Sequence, residues 1–208
     1  MHGSDADEAS AESPVADDRI GNRIGEPVVE PAVREAAEST ETAAHARLKG
    51  VDRATRPDRV SSILVAVGAG PHTGATVDVA REIADATGSW LELFHVVPSD
   101  EALVDGDATA VDDADSDEYA AAGDRLLSAA RDRLGGFDRV DRWLVEDRTA
   151  AGAIVEQSPY YDLVVVGAPT TGTVGRFVFG STTDTVIDDA EVPVVVVEAD
   201  GATALDVA

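Results

Sequence analysis

From about residue 59 onward the chain alternates short β-branched runs with longer amphipathic ones, and that alternation limits the fold more than any other feature. Residues 62–67 (SILVAV), 90–97 (WLELFHVV), 162–167 (DLVVVG) and 193–198 (PVVVVE) are too short for buried helices and rich in β-branched side chains, so they read as strands. Residues 140–145 (VDRWLV) make a fifth, more polar strand. Between them, residues 74–87 place Val77, Ala80, Ile83 and Ala84 on one helical face and stop at Gly88. Residues 119–134 do the same with Leu126, Leu127, Ala130 and Leu134, ended by Gly135 and Gly136. Residues 149–157 and 180–190 supply two shorter helices, the second with Val186 and Ile187 inward. Strands that alternate with helices pair in parallel through crossovers, with helices on both faces. The expected fold is therefore α/β, a five-stranded parallel sheet between two helical layers.

The alternation covers residues 59–200 of a 208-residue chain, long enough for one domain with a substantial core. Residues 1–58 differ. They have no Phe, Trp or Tyr and are rich in Ala, Glu, Asp, Ser and Pro, which predicts a largely disordered acidic arm. Within it, residues 31–47 (PAVREAAESTETAAHAR) read as one marginal alanine-rich helix opened by Pro31. Its apolar face is mostly alanine, so burial would return little free energy. A tail over residues 201–208 is expected to fray.

Charge narrows the function classes. The chain carries 41 acidic and 16 basic residues, a formal net charge of −25. The arm holds 13 acidic and 7 basic of these, so most of the excess lies on the folded domain. A polyanion without a basic patch repels phosphate backbones, which argues against nucleic-acid binding. Lys49 is the single lysine. Strong acidity with almost no lysine fits a halophilic protein working in a high-salt cytoplasm, where hydrated carboxylates keep the surface wet. With no cysteine there is no disulfide, thiolate metal site or thiol nucleophile. No run approaches the ~20 apolar residues of a membrane span, and the acidic start at Asp5, Asp7 and Glu8 is unlike a signal peptide. The expectation is a soluble cytoplasmic protein without membrane insertion.

In doubly wound sheets ligands bind beyond the carboxyl ends of the strands, where strand order reverses. Two loops in such positions are rich in glycine. The first follows strand one, from Gly68 through Gly70, Pro71, His72 and Thr73 to Gly74. The second follows strand four, from Gly167 through Thr170, Gly172, Gly175 and Arg176 to Gly180, Ser181 and Thr182. Glycine lets backbone N–H groups approach an oxyanion, and a helix starting at Gly180 points its positive end at one. The hydroxyls and Arg176 add donors.

The spacing Gly167, two residues, position 170, nine residues, Gly180-Ser181 resembles the nucleotide-binding signature Gly-x-x-Gly-x9-Gly-Ser/Thr of universal stress proteins. DLVVVG before it, Phe177 to Phe179 within it, PVVVV after it and ILVAV at the first strand extend the resemblance over residues 59–200. It implies a sheet in the order 3-2-1-4-5, with the loops after strands one and four side by side. It implies an adenine nucleotide such as ATP, with or without Mg2+, held at Val166, Gly167, Thr170, Arg176, Gly180, Ser181 and Thr182. Gly68 would lie beside the nucleoside and Val96, at the end of strand two, would line the base. The resemblance also implies a homodimer through the last strand, Pro193–Val197, at the sheet edge. Two positions depart from the family pattern: Thr170 stands where the signature has Gly, and Gly68 stands where the family has Asp. These departures favour the alternative of an interaction module that regulates a partner such as a transporter without binding nucleotide.

Other chemistries find less support. A P-loop needs Gly-Lys-Ser/Thr, and Lys49 is far from any strand end. Gly68-x-Gly70-x-x-x-Gly74 is one residue longer than a dinucleotide fingerprint, and strand two ends without the acidic residue that would bind a ribose. No general base accompanies Ser181, so a catalytic reading, including a slow ATPase, has no visible machinery. His72 reads as a loop histidine and His95 as a hydrogen-bonded sheet residue. The carboxylates Asp112, Asp113, Asp115 and Asp117 lack the glycine and distal Glu of a calcium loop and read as part of a solvated loop over residues 99–118.

Overall fold

A computed structural model describes residues 28–97, 113–146, 149–168 and 180–205, and the β-branched runs within them form one sheet. Its parallel strands are β2 (Ser62–Ala66), β3 (Trp90–Val96), β4 (Val140–Val145), β5 (Leu163–Gly167) and β6 (Val194–Ala199). They lie in the order β4-β3-β2-β5-β6, which is the expected 3-2-1-4-5. Successive residues of a strand point to opposite faces, so each strand feeds two cores. Ile63, Val65, Leu91, Leu93 and Val195 pack with α1 (Val29–Ser39), α2 (Thr73–Thr87) and α3 (Asp113–Arg133) on one face. Leu64, Phe94, Val164, Val166 and Val194 pack with α4 (Ala150–Gln157) and α5 (Gly180–Asp189) on the other. Gly88 ends α2 in the left-handed conformation at φ +72°, as its position at the end of the apolar period predicts.

The arm is where structure and sequence reading part. Residues 28–58 do not form a disordered segment carrying one helix over residues 31–47. The helix stops at Ser39, and Ala43–Lys49 forms β1, antiparallel to β6, which makes the sheet six-stranded. Val29, Ala32, Val33 and Ala36 are at most 3% exposed against the α1–α2 face, so small side chains allow close approach where longer ones would not. The segment then continues to the far face. The Arg53 guanidinium donates to the carbonyls of Ile187 and Ala190 at 2.8 and 2.9 Å, satisfying acceptors at the end of α5. At Arg56 it donates to buried Asp162 at 3.0 Å.

This geometry corrects the expected homodimer through Pro193–Val197. β6 has β5 on one side and β1 on the other, so its backbone donors and acceptors are already used. An edge strand is available for pairing only while one side is open.

Two smaller differences follow. The solvated loop expected up to residue 118 ends earlier, since α3 starts at Asp113, with acidic residues in the first turns where the helix dipole favours them. The tail is held as far as residue 205, not frayed from residue 199 or 201. The Thr203 carbonyl and hydroxyl accept from the amides of Gly74 and Ala75 at 2.8 and 3.0 Å, capping the start of α2. A Cβ at Gly74 would collide with the Thr203 carbonyl oxygen. Gly74→Ala should therefore release the tail, and amide hydrogen exchange at Ala75 and Thr203 should accelerate at least tenfold while the rest of α2 stays protected.

Candidate functional site

β2 and β5 are neighbours, and the helices that come after them, α2 and α5, pack on opposite faces, so the sheet opens a cleft at their carboxyl ends. Ala66, Gly68, Gly70, Pro71, His72 and Thr73 line it from the β2 side. Val166, Gly167, Ala168, Thr182 and Thr183 line it from the β5 side, with Ile154 of α4 at its base. The cleft is about 40 Å3 in volume and opens to solvent at its mouth.

Hydrogen bonds fix the walls. The Thr73 hydroxyl donates to the Gly68 carbonyl and the Thr76 hydroxyl to the His72 carbonyl, which folds the first loop onto the start of α2. His72 accepts at Nδ1 from the Ala199 amide at 3.1 Å, so a neutral ring carries its proton on Nε2. The Thr183 hydroxyl donates to the Gly167 carbonyl at 3.1 Å, tying the first turn of α5 to the end of β5. A Cβ at Gly167 would stand 3.4 Å from both His72 Cβ and Thr76 Oγ1, so the two sides of the cleft are in close contact at this point.

The expected site residues fall into four groups. Gly68, Val166, Gly167 and Thr182 line the cleft together. Gly180 and Ser181 open α5, whose N-terminus faces the same strand ends. Thr170 and Arg176 lie outside the described residues. Val96 is not in the cleft: it is buried under α4 among Phe94, Ala153 and Ile154. Its place there follows from β3 being one strand removed from the β2–β5 gap. His95 turns to the opposite face, with Nδ1 2.7 Å from the Val67 carbonyl, and burial holds its pKa below the ordinary value while that contact opposes the shift. Sequence reading missed Thr183 and the tail. The hydroxyl beside Thr182 was a visible signal for the first, whereas nothing local marked Thr203 as a cap. Among the described residues no cluster of three acidic or histidine side chains is arranged to hold a metal, and no helix is long and apolar enough to cross a membrane.

Adjacent parallel strands β2 and β5, followed by helices on opposite faces and with a cleft at their carboxyl ends, define a doubly wound α/β domain whose strand order reverses there. The Universal stress protein family model matches residues 60–198, and the chain belongs to that family. Among solved structures it is similar to a universal stress protein from Archaeoglobus fulgidus, with 21% identity and a TM-score of 0.53 over 66% of this chain and 98% of that one. It is also similar to a universal stress protein in complex with cAMP, with 24% identity and a TM-score of 0.51 over 68% of this chain and 99% of that one. A search of curated proteins finds no match.

Proposed function

We propose that the β2–β5 cleft binds an adenine nucleotide and that the domain acts in the cytoplasm as a regulatory element of a stress response, without fast turnover. The observation that carries this reading is the meeting of Gly68, Gly167 and the start of α5 at one cleft mouth. The phosphates would lie on the backbone of Gly167 and the Gly180–Thr182 turn, where free helix amides favour anions. The base would lie on the apolar rim of Ala66, Pro71 and Val166. Thr170 and Arg176 extend the phosphate side by sequence. The family relative in complex with cAMP supports an adenine ligand. Magnesium would enter only with the phosphates.

A second reading, an interaction module that binds no nucleotide and regulates a partner such as a transporter, is favoured by Gly68 and Thr170, the two departures from the family pattern. Calorimetry with ATP, AMP and cAMP in the salt at which the chain is folded separates the two. The expected result is saturable heat for at least one nucleotide, and Gly68→Asp should tighten binding on the order of tenfold by supplying a ribose acceptor, about 1.4 kcal/mol. Absence of heat, together with no nucleotide released on denaturation, would leave the interaction module standing.

A further inference from the structure

The two helical layers do not cover the sheet equally. α3 packs on β3 and β4 on one face, through Leu126 and Leu127 beside Leu91 and Leu93. On the opposite face α4 reaches Phe94, Val96 and Val145 at the carboxyl ends of those strands. The same face carries Trp90 and Glu92 toward the start of β3 and Asp141 toward the start of β4, with Trp143 beside Phe94, as strand alternation requires. Trp90 is 43% and Trp143 39% exposed, although an indole normally buries most of its area. Both tryptophans of the chain are here, and Phe94 meets Trp143 edge to face at 5.3 Å between ring centres.

Glu92 and Asp141 are direct partners in the parallel register, on strands about 4.8 Å apart. Like charges in that relation destabilise a sheet. Burial and the Asp141 charge raise the Glu92 pKa, and burial with the Glu92 charge raises that of Tyr161 to about 12. Among the described residues neither carboxylate has an ion pair or hydrogen bond. The adjacent Arg142 is turned to the other face, donating to Ser128 of α3 at 2.6 Å. Among the described residues, two facing carboxylates thus stand without a counter-charge, between two exposed indoles.

We propose that this face of β3 and β4 docks an arginine-bearing segment of a partner protein, the guanidinium stacking on Trp90 or Trp143 and pairing with Glu92 and Asp141. A planar cation fits both demands, since it stacks on an aromatic face and forks toward carboxylate oxygens, which an ammonium does not. The net charge of −25 steers cationic partners toward the surface. A second copy of this chain, equally acidic, is a poor occupant for the same reason.

Because both indoles lie in the patch, the intrinsic fluorescence of the full chain reports binding without a label. Titration with the peptide Gly-Ser-Arg-Gly-Arg-Ser-Gly in folding salt is expected to give a saturable change. The same peptide with citrulline, the uncharged isostere, should give none. Glu92→Gln and Asp141→Asn should each weaken binding at least tenfold, yet Glu92→Gln should raise the melting temperature because it removes the like-charge contact. That opposition of effects distinguishes a docking pair from a structural one. An equal response to the citrulline peptide, or unchanged affinity in both variants, overturns the proposal. So does argininamide binding as tightly as the peptide, which would make this a small-cation site.

Discussion

Truncation of residues 1–57 is expected to convert β6 into an open, self-associating edge. Val194–Ala199 would then present a run of four valines with one ladder of backbone groups unpaired, the arrangement that sheet proteins ordinarily cover or charge. The truncated chain also loses the burial of Val29 and Val33, about 1.5–3 kcal/mol each before the entropy of ordering the segment is subtracted. A net loss of about 2–3 kcal/mol would lower the melting temperature by roughly 5–10 °C for a chain of this size. Sedimentation in folding salt should show concentration-dependent dimers or larger species for the truncated chain. Removal of residues 1–27 alone, which leaves α1 and β1 in place, should not. A truncated chain that stays monomeric with an unchanged melting point would mean that β1 contributes nothing to covering the edge.

The second large effect is expected at Asp162. Its carboxylate, only 6% exposed, accepts from the amides of Ser61 and Ser62 at 2.8 and 3.3 Å and from Arg56 at 3.0 Å. It therefore joins the N-terminal segment, the entrance of β2 and the entrance of β5 at one point. Arg56 is 57% exposed and can turn to water, so the ion pair itself is worth little. The two amides next to buried Val60 and Ile63 cannot all do so. Leaving a buried donor unsatisfied costs about 1–3 kcal/mol, so Asp162→Ala should lose about 2–4 kcal/mol in denaturant unfolding. Asp162→Asn keeps one acceptor for the serine amides and should lose about half as much. An alanine variant as stable as the parent would show that these amides find other partners.

β1 shows why part of the fold escaped sequence reading. Residues 43–49 (AAHARLK) carry alanine and leucine, which favour helix, inside an alanine-rich stretch, so propensity extends the helix through them. Yet Ala46 and Leu48 alternate with His45, Arg47 and Lys49, a period of two that matches Val197 and Val195 on one face and Glu198, Val196 and Val194 on the other. The pattern was present but short. Its weight came from β6, some 150 residues away, whose open side offered hydrogen bonds that a local helix could not. The candidate cleft divides in the same way. Gly68, Gly167 and the α5 start were legible because glycine spacing and helix starts are local signals. The burial of Val96 and the cap at Thr203 depend on which strand lies beside which.

By itself, then, the sequence determined the parallel α/β sheet, its strand order through the family resemblance, and the glycines Gly68 and Gly167 that line the cleft. The sheet and the glycines rest on local periodicity and spacing, whereas the strand order rests on the resemblance alone. Tertiary structure alone decided that β1 fills the edge of β6, that Thr203 caps α2, and that Glu92 and Asp141 face each other between exposed tryptophans. Those outcomes follow from register and from the proximity of distant segments, and no local preference of a residue encodes either.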